Sequence, residues 1–157
     1  MSPTIRPYHP ADLETIKQIT IEGFEDVSVD HGIEKKFGVV GDRDWRWRKA
    51  RHIDDDVVSN AEGVFVAEAD GVVLGYISTR IDRDASKGRI PNLAVTSSAR
   101  GQGLGHALIE HAVGYFREEG MAVAVIETME SNPVGQSLYP SCGFEEVGRQ
   151  IHFARRL

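Results

Sequence analysis

The sequence predicts a single three-layer α/β domain built on a mixed sheet, and three observations carry that expectation. Helical and strand periodicities alternate along the chain in the order β-α-α-β-β-β-α-β-α-β. Asp70-Gly71 joins two β-rich runs in "GVFVAEADGVVLGYISTRI", a strong short-range hairpin signal. The run "MAVAVIE", from Met121 to Glu127, is almost wholly apolar, as a strand covered on both faces must be.

Each element follows in order. "TIRPY" reads as a first strand, and "PADLETIKQITIEGF" spaces Leu13, Ile16 and Ile19 for a helix that closes near Gly23. Residues 25–41 show no regular pattern. A second helix begins near Asp42 or Asp44 and carries Trp45, Trp47 and Ile53 towards Val58. After the hairpin and the polar loop Arg83 to Lys87, "GRIPNLAV" forms a further strand. A helix from Leu104 places Leu108, Ala112 and Tyr115 or Phe116 on one face and stops at Gly120. A short helix from about Asn132 to Ser141 and a last strand or hairpin, "FEEVGRQIHFARR", complete the expected domain, which spans residues 1–157.

Composition narrows the function. With 41% hydrophobic and 27% charged residues the chain is of ordinary globular make-up, which excludes wholesale disorder. A formal net charge of -6 opposes a nucleic-acid partner, because phosphate binding needs a basic surface. The single cysteine, Cys142, rules out an internal disulfide and a cysteine-based zinc cluster. The opening "MSPTIRPYHPADLE" lacks the basic start and apolar core of a signal peptide, and no apolar run approaches the ~20 residues that span a bilayer. A cytoplasmic protein without membrane contact is expected, as a monomer or homodimer.

The chemistry-bearing stretch is "NLAVTSSARGQGLGHALIEHA", from Asn92 to Ala112. Gly101, Gly103 and Gly105 alternate in front of a helix, where free N–H groups and the positive end of the helix dipole receive phosphate. A Walker loop needs Lys after its last glycine, and His106 stands there. A dinucleotide fingerprint counted from Gly101 needs glycine at the same position, and counted from Gly103 it also fails. A pyrophosphate site of another kind remains.

"LAV…ARGQGLGHALIEHA" resembles the coenzyme A loop of the GCN5-related N-acetyltransferase (GNAT) superfamily, whose Arg/Gln-x-x-Gly-x-Gly/Ala pattern Arg100, Gly103 and Gly105 satisfy. "NPVGQSLYPSCGF" supplies the superfamily's second run through Asn132, Leu138, Tyr139, Gly143 and Phe144. The likeness is specific over about residues 63–148 and does not specifically cover residues 25–60. It implies a GNAT-like sheet, mostly antiparallel, splayed between two central parallel strands, here "NLAV" and "AVIE". Acetyl-coenzyme A would lie in that opening as cosubstrate, with Leu93, Ala94 and Val95 pairing with its pantetheine arm. N–H groups of Gly101, Gln102, Gly103, Leu104, Gly105 and His106 would hold the pyrophosphate, and Asn132 would both cap its helix and bond the cofactor. Pro91, which cannot complete a ladder, marks a bulge that opens the strand.

The resemblance implies an N-acetyltransferase acting by direct attack on a primary amine, either a small molecule or a peptide N-terminus. Tyr139 stands at the general-acid position, and a phenol with an ordinary pKa of about 10 holds its proton at neutral pH. The strand glutamate of many members is replaced by Arg89. "ETMESN" resembles instead the Glu-x-x-x-Ser-Asn run of the branch that acetylates protein N-terminal amines, which implies Glu127, five residues before Asn132 and twelve before Tyr139, as the candidate base; it ends an apolar strand, a setting that can raise its pKa. The alternative is a non-catalytic acyl-coenzyme A sensor, which would need neither Tyr139 nor Glu127.

For the acceptor, Glu22, Glu25, Asp26, Asp30 and Glu34 are placed to draw in an ammonium group, with Trp45 or Trp47 as an aromatic wall. Asn92 is placed to point into the cleft. Asp54 to Asp56 read as a solvated helix end and Glu130 as exposed. No metal is expected, since His106 and His111 are five apart on a helix.

Overall fold

Alternation along one strand sets the layering. In β2 (Phe65–Ala69), Phe65 and Ala67 join one buried cluster, whereas Val66, with Val64 just before the strand, joins another on the opposite face. The computed structural model describes residues 2–157. β1 (Thr4–Pro7), β2, β3 (Val72–Ile77) and β6 (Leu93–Val95) pair in that order, each antiparallel to its neighbour. β4 (Arg80–Asp82), β5 (Lys87–Ile90) and β7 (Val123–Ile126) form a second sheet, in which β5 runs antiparallel to β4 and parallel to β7.

Helices cover both faces. α1 (Leu13–Gly23) and α3 (Trp45–Asn60) bury Ile16, Ile19 and Ile53 against Val66, Tyr76 and Ala94. On the other side, α4 (Leu104–Glu118) buries Leu108, Ile109, Ala112 and Phe116 against Phe65, Ile77 and Ile90, and α5 (Pro133–Ser141) packs Leu138 there. Full burial of each large apolar side chain stabilises the fold by about 1.5–3 kcal/mol. Gly88 on β5 permits this contact, because a Cβ there would lie 2.4 Å from the Phe116 ring. Asp70 and Gly71 turn the β2–β3 hairpin with φ of 51° and 77°, both positive as a tight two-residue turn requires.

The expected "GRIPNLAV" strand is two strands. β5 pairs with β7 and β6 pairs with β3, and the run changes sheets at Pro91–Asn92. Opposite, β3 and β4 are separated in the same way at Ser78–Thr79. The sheet is therefore splayed beside β6, as the sequence led us to expect, and the break takes in the residue without an N–H, Pro91.

Two elements differ from expectation. Residues 29–37 form a helix, α2 (Val29–Phe37), capped by Ser28 Oγ accepting from the His31 N–H at 3.1 Å and ended by Gly38 at φ 77°. Val29, Ile33 and Phe37 recur at four-residue spacing along it, a short helical signal that the reading of residues 25–41 as irregular passed over, and none of its residues is buried. At the other end "FEEVGRQIHFARR" forms no strand. Beyond Phe144, which packs against the core, its apolar side chains Val147, Ile151 and Phe153 are 95%, 80% and 91% exposed. Among the described residues no helix is long and apolar enough to cross a membrane.

Candidate active site

The glycine stretch sits where a strand feeds a helix. β6 ends at Val95, a 3-10 turn covers Ser97–Ala99, and α4 starts at Leu104. Gly101 and Gly103 have φ of 77° and 80°, and a Cβ on either would meet open space, so backbone conformation calls for glycine at both. Gly105 has a different task. A Cβ there would come within 3.1 Å of Leu138 Cδ2, so its small size lets α4 approach α5. The first α4 hydrogen bond runs from the Ala107 N–H to Gly103 O at 3.0 Å, and among the described residues no backbone N–H from Gly101 to His106 finds an acceptor. These donors stand unbonded at the positive end of a 15-residue helix, an arrangement that suits an anion.

The loop is fixed from behind. Glu22 at the end of α1 accepts from the Ser97 N–H at 2.8 Å, and Arg100 Nε donates to Val95 O at 3.3 Å. The Ser97 bonds lower the Glu22 pKa, with Arg100 adding to the effect. β6 pairs with β3 through Leu93, Ala94 and Val95, and among the described strands nothing pairs with its other edge. That edge presents backbone donors and acceptors to an extended ligand.

α5 carries the second motif. Asn132 Oδ1 accepts from the Gly135 N–H at 3.4 Å and caps the helix in front of Pro133, the arrangement the sequence foretold. Tyr139 is half-buried, its ring centroid 6.5 Å from that of Phe144. Burial pushes its phenol up to about 12, with Cys142 contributing. Its hydroxyl makes no hydrogen bond among the described residues and keeps its proton free for an incoming acceptor. Glu127 follows β7 directly and is exposed, with Arg89 Nε donating to its Oε1 at 2.9 Å. Ser131 Oγ donates to Asp26 O at 3.1 Å, tying the segment between β7 and α5 to the connection between α1 and α2. Glu130 is exposed, as expected.

The acceptor-side expectations need correction. Glu22 is bound to Ser97, Asp26 pairs with Lys35, Asp30 meets His52 Nε2 at 3.3 Å, and Glu34 accepts from the Trp45 N–H at 3.2 Å. Four of the five carboxylates are thus already engaged within the protein. Trp45 is a core residue, 2% exposed and stacked on His31, and Trp47 is flanked by the guanidiniums of Arg43 and Arg51 at 4.3 and 5.2 Å, so neither is a bare aromatic wall.

Asp56 is not solvated, and Asn92 does not point into an open cleft. Asp56 is 1% exposed and accepts from Ser78 Oγ at 2.7 Å, Asn92 Nδ2 at 2.6 Å and Arg80 Nη2 at 2.9 Å. Asn92 Oδ1 accepts from Lys49 Nζ at 2.6 Å, and Lys49 is itself 7% exposed. Burial lowers the Lys49 ammonium to about 8, against the pull of Asp56 and Asp30 and with the push of Arg89. Sequence reasoning missed this group. The available signal was the spacing of Lys49, His52 and Asp56, one helix face shared with apolar Ile53. His106, Glu110 and Cys142 also bring one ligand atom each within 4.8 Å of the others, with two of the three residues exposed, a grouping hidden when only His106 and His111 are compared.

The match to known proteins agrees with this layout. The acetyltransferase (GNAT) family profile covers residues 26–144. The chain is 34% identical over 95 residues to the probable N-acetyltransferase family 8 member 5 of Mus musculus, covering 57% of this chain and 42% of that one. It is 35% identical over 100 residues to the N-alpha-acetyltransferase of Sulfurisphaera tokodaii, covering 57% and 60%. The chain therefore spans less than two thirds of the length of these relatives. The PaiA N-acetyltransferase of Thermoplasma acidophilum, solved in complex with coenzyme A, superposes with a TM-score of 0.73 at 22% identity over 92% of this chain and 91% of that one. The chain belongs to the acetyltransferase (GNAT) family.

Proposed function

We propose that this protein is an acetyl-coenzyme A-dependent N-acetyltransferase acting on a primary amine, of a small molecule or a peptide N-terminus. The observation that carries the reading is the pairing of two unfilled backbone arrays. The free edge of β6 runs into the free N–H groups from Gly101 to His106, an extended slot ending in an anion site. An elongated thioester with a pyrophosphate suits both. Resemblance to an N-alpha-acetyltransferase and to a protein solved with coenzyme A supports it.

In this reading Leu93, Ala94 and Val95 hold the pantetheine arm, and the loop from Arg100 to His106 holds the pyrophosphate. Asn132 steadies the cofactor beside α5. Glu127 takes the proton of the acceptor ammonium, directly or through water, so that a neutral amine attacks the thioester carbonyl. As the C–N bond forms and the C–S bond breaks, Tyr139 gives its proton to the departing sulfur, and the proton that the bonded nitrogen then sheds returns to the tyrosinate, directly or through water. Burial holds the Tyr139 pKa up to about 12, so the phenol is protonated at neutral pH.

A thiol-release assay with acetyl-coenzyme A against a panel of small amines and peptides tests the reading. Amine-dependent release is expected. Tight coenzyme A binding with no release across the panel would favour the non-catalytic sensor instead.

A further inference from the structure

Lys49 is a buried cation that acetyl transfer, as described above, leaves without a task. Burying an ammonium group is costly unless it is bonded on all sides. Its Nζ lies 2.6 Å from Asn92 Oδ1, 3.4 Å from His52 Nδ1 and 4.1 Å from the Phe24 ring centroid. No carboxylate bonds it directly, because Asp56 is bonded to Arg80, Ser78 and Asn92, and Asp30 meets His52.

The network coincides with the two strand breaks. Ser78 lies where β3 passes to β4, and Asn92 where β5 passes to β6. The Ser78 N–H donates to Asn92 O at 2.9 Å, and the Asn92 N–H donates to Ser78 Oγ at 3.1 Å. Asp56 and Lys49 hold the two ends of the Asn92 amide from α3, one as acceptor and one as donor. Every polar atom of Asn92 is thus bonded, and its main chain is set one residue before the free-edged β6.

We propose that Lys49 is a positioning residue for the cofactor strand: through Asn92 it fixes where β6 parts from β5, and so the width of the opening that takes the pantetheine arm. The inference rests on the cofactor reading of β6. Lys49 bonds none of the proposed cofactor contacts itself; it acts through Asn92.

The test is coenzyme A affinity by calorimetry, with KM for acetyl-coenzyme A and kcat measured alongside. K49M strands the Asn92 carbonyl oxygen and is expected to weaken coenzyme A binding and raise KM about tenfold, with kcat at saturation changed less than about twofold. K49Q, which keeps an N–H donor for Asn92, is expected to recover most of the affinity. I53V loosens the same helix without touching the network and is expected to leave affinity unchanged. Should K49M not fold, Ser78→Ala cuts the same seam from the β3 side without altering charge, and the same fall is expected. Unchanged affinity in K49M, or in Ser78→Ala where K49M cannot be measured, would overturn the inference, and so would an equal loss in I53V. Absence of coenzyme A binding by the unaltered protein would instead refute the cofactor reading itself, and is visible before any variant is made.

Discussion

Arg89 on β5 donates its Nε to Glu127 Oε1 at 2.9 Å, across the parallel pair β5–β7 at the edge of the splay. Both side chains are substantially exposed, so the pair adds about 0–1 kcal/mol to stability, and in the proposed reaction its part is to aim the carboxylate. One oxygen faces Arg89 and the other remains for an ammonium group. Glu127→Gln keeps the shape and removes the proposed base. We expect kcat to fall about 10²-fold with coenzyme A affinity unchanged, and the rise of rate with pH to be depressed. A rate–pH profile identical to that of the unaltered protein would transfer the role to water or another group.

Lys49 makes a stability prediction whose sign follows from burial. Its pKa is lowered from 10.5 to about 8 in the folded state, so between those values the unfolded chain binds more protons. Stability relative to K49M should therefore rise as pH increases from about 8 to 10.5, by an amount on the order of 3 kcal/mol. Below about 8 the lysine is protonated in both states and its contribution is at its least favourable. Urea unfolding of both proteins at pH 7.5 and 10 reads the difference; a gap that narrows in favour of K49M would contradict the buried, uncompensated ammonium.

The three loop glycines are separable by substitution. Gly103→Val forces a β-branched residue to φ 80°, and we expect a loss of about 1–3 kcal/mol together with at least a tenfold loss of coenzyme A affinity. Gly105→Ala meets only the end of the Leu138 side chain within a helix, and affinity within about twofold of the original is expected. Calorimetry on both variants is decisive, because equal losses would mean that Gly103 and Gly105 both serve close approach rather than backbone conformation.

Much of the donor side was legible because local chemistry and packing agree there. Leu104, Leu108, Ala112 and Phe116 all fall on the buried face of α4, and Asp70-Gly71 adopts the positive φ pair its hairpin demands. Asn132 caps α5 as its neighbour Pro133 implied. The acceptor side was not legible, since its polar residues are used in tertiary pairs that spacing does not encode. Asp56 looked like part of a solvated acidic run until Ser78 and Asn92, 22 and 36 residues away, were seen to bond it. The apolar stripe of α2, Val29, Ile33 and Phe37, spans only nine residues and buries none of them, and the alternation after Phe144 promised a strand that has no neighbour to pair with.

Tyr139→Phe tests acetyl transfer by this site most directly, measured as amine-dependent thiol release beside coenzyme A affinity. The phenol, held up to about 12 by burial, should keep donating throughout the neutral and mildly alkaline range. We predict a fall in kcat of about 10²-fold with affinity unchanged, and in the unaltered protein no loss of rate below about pH 10 from ionisation of this group. Turnover equal to that of the unaltered protein would contradict the assignment of Tyr139 as the acid and, with it, the proposed course of the reaction.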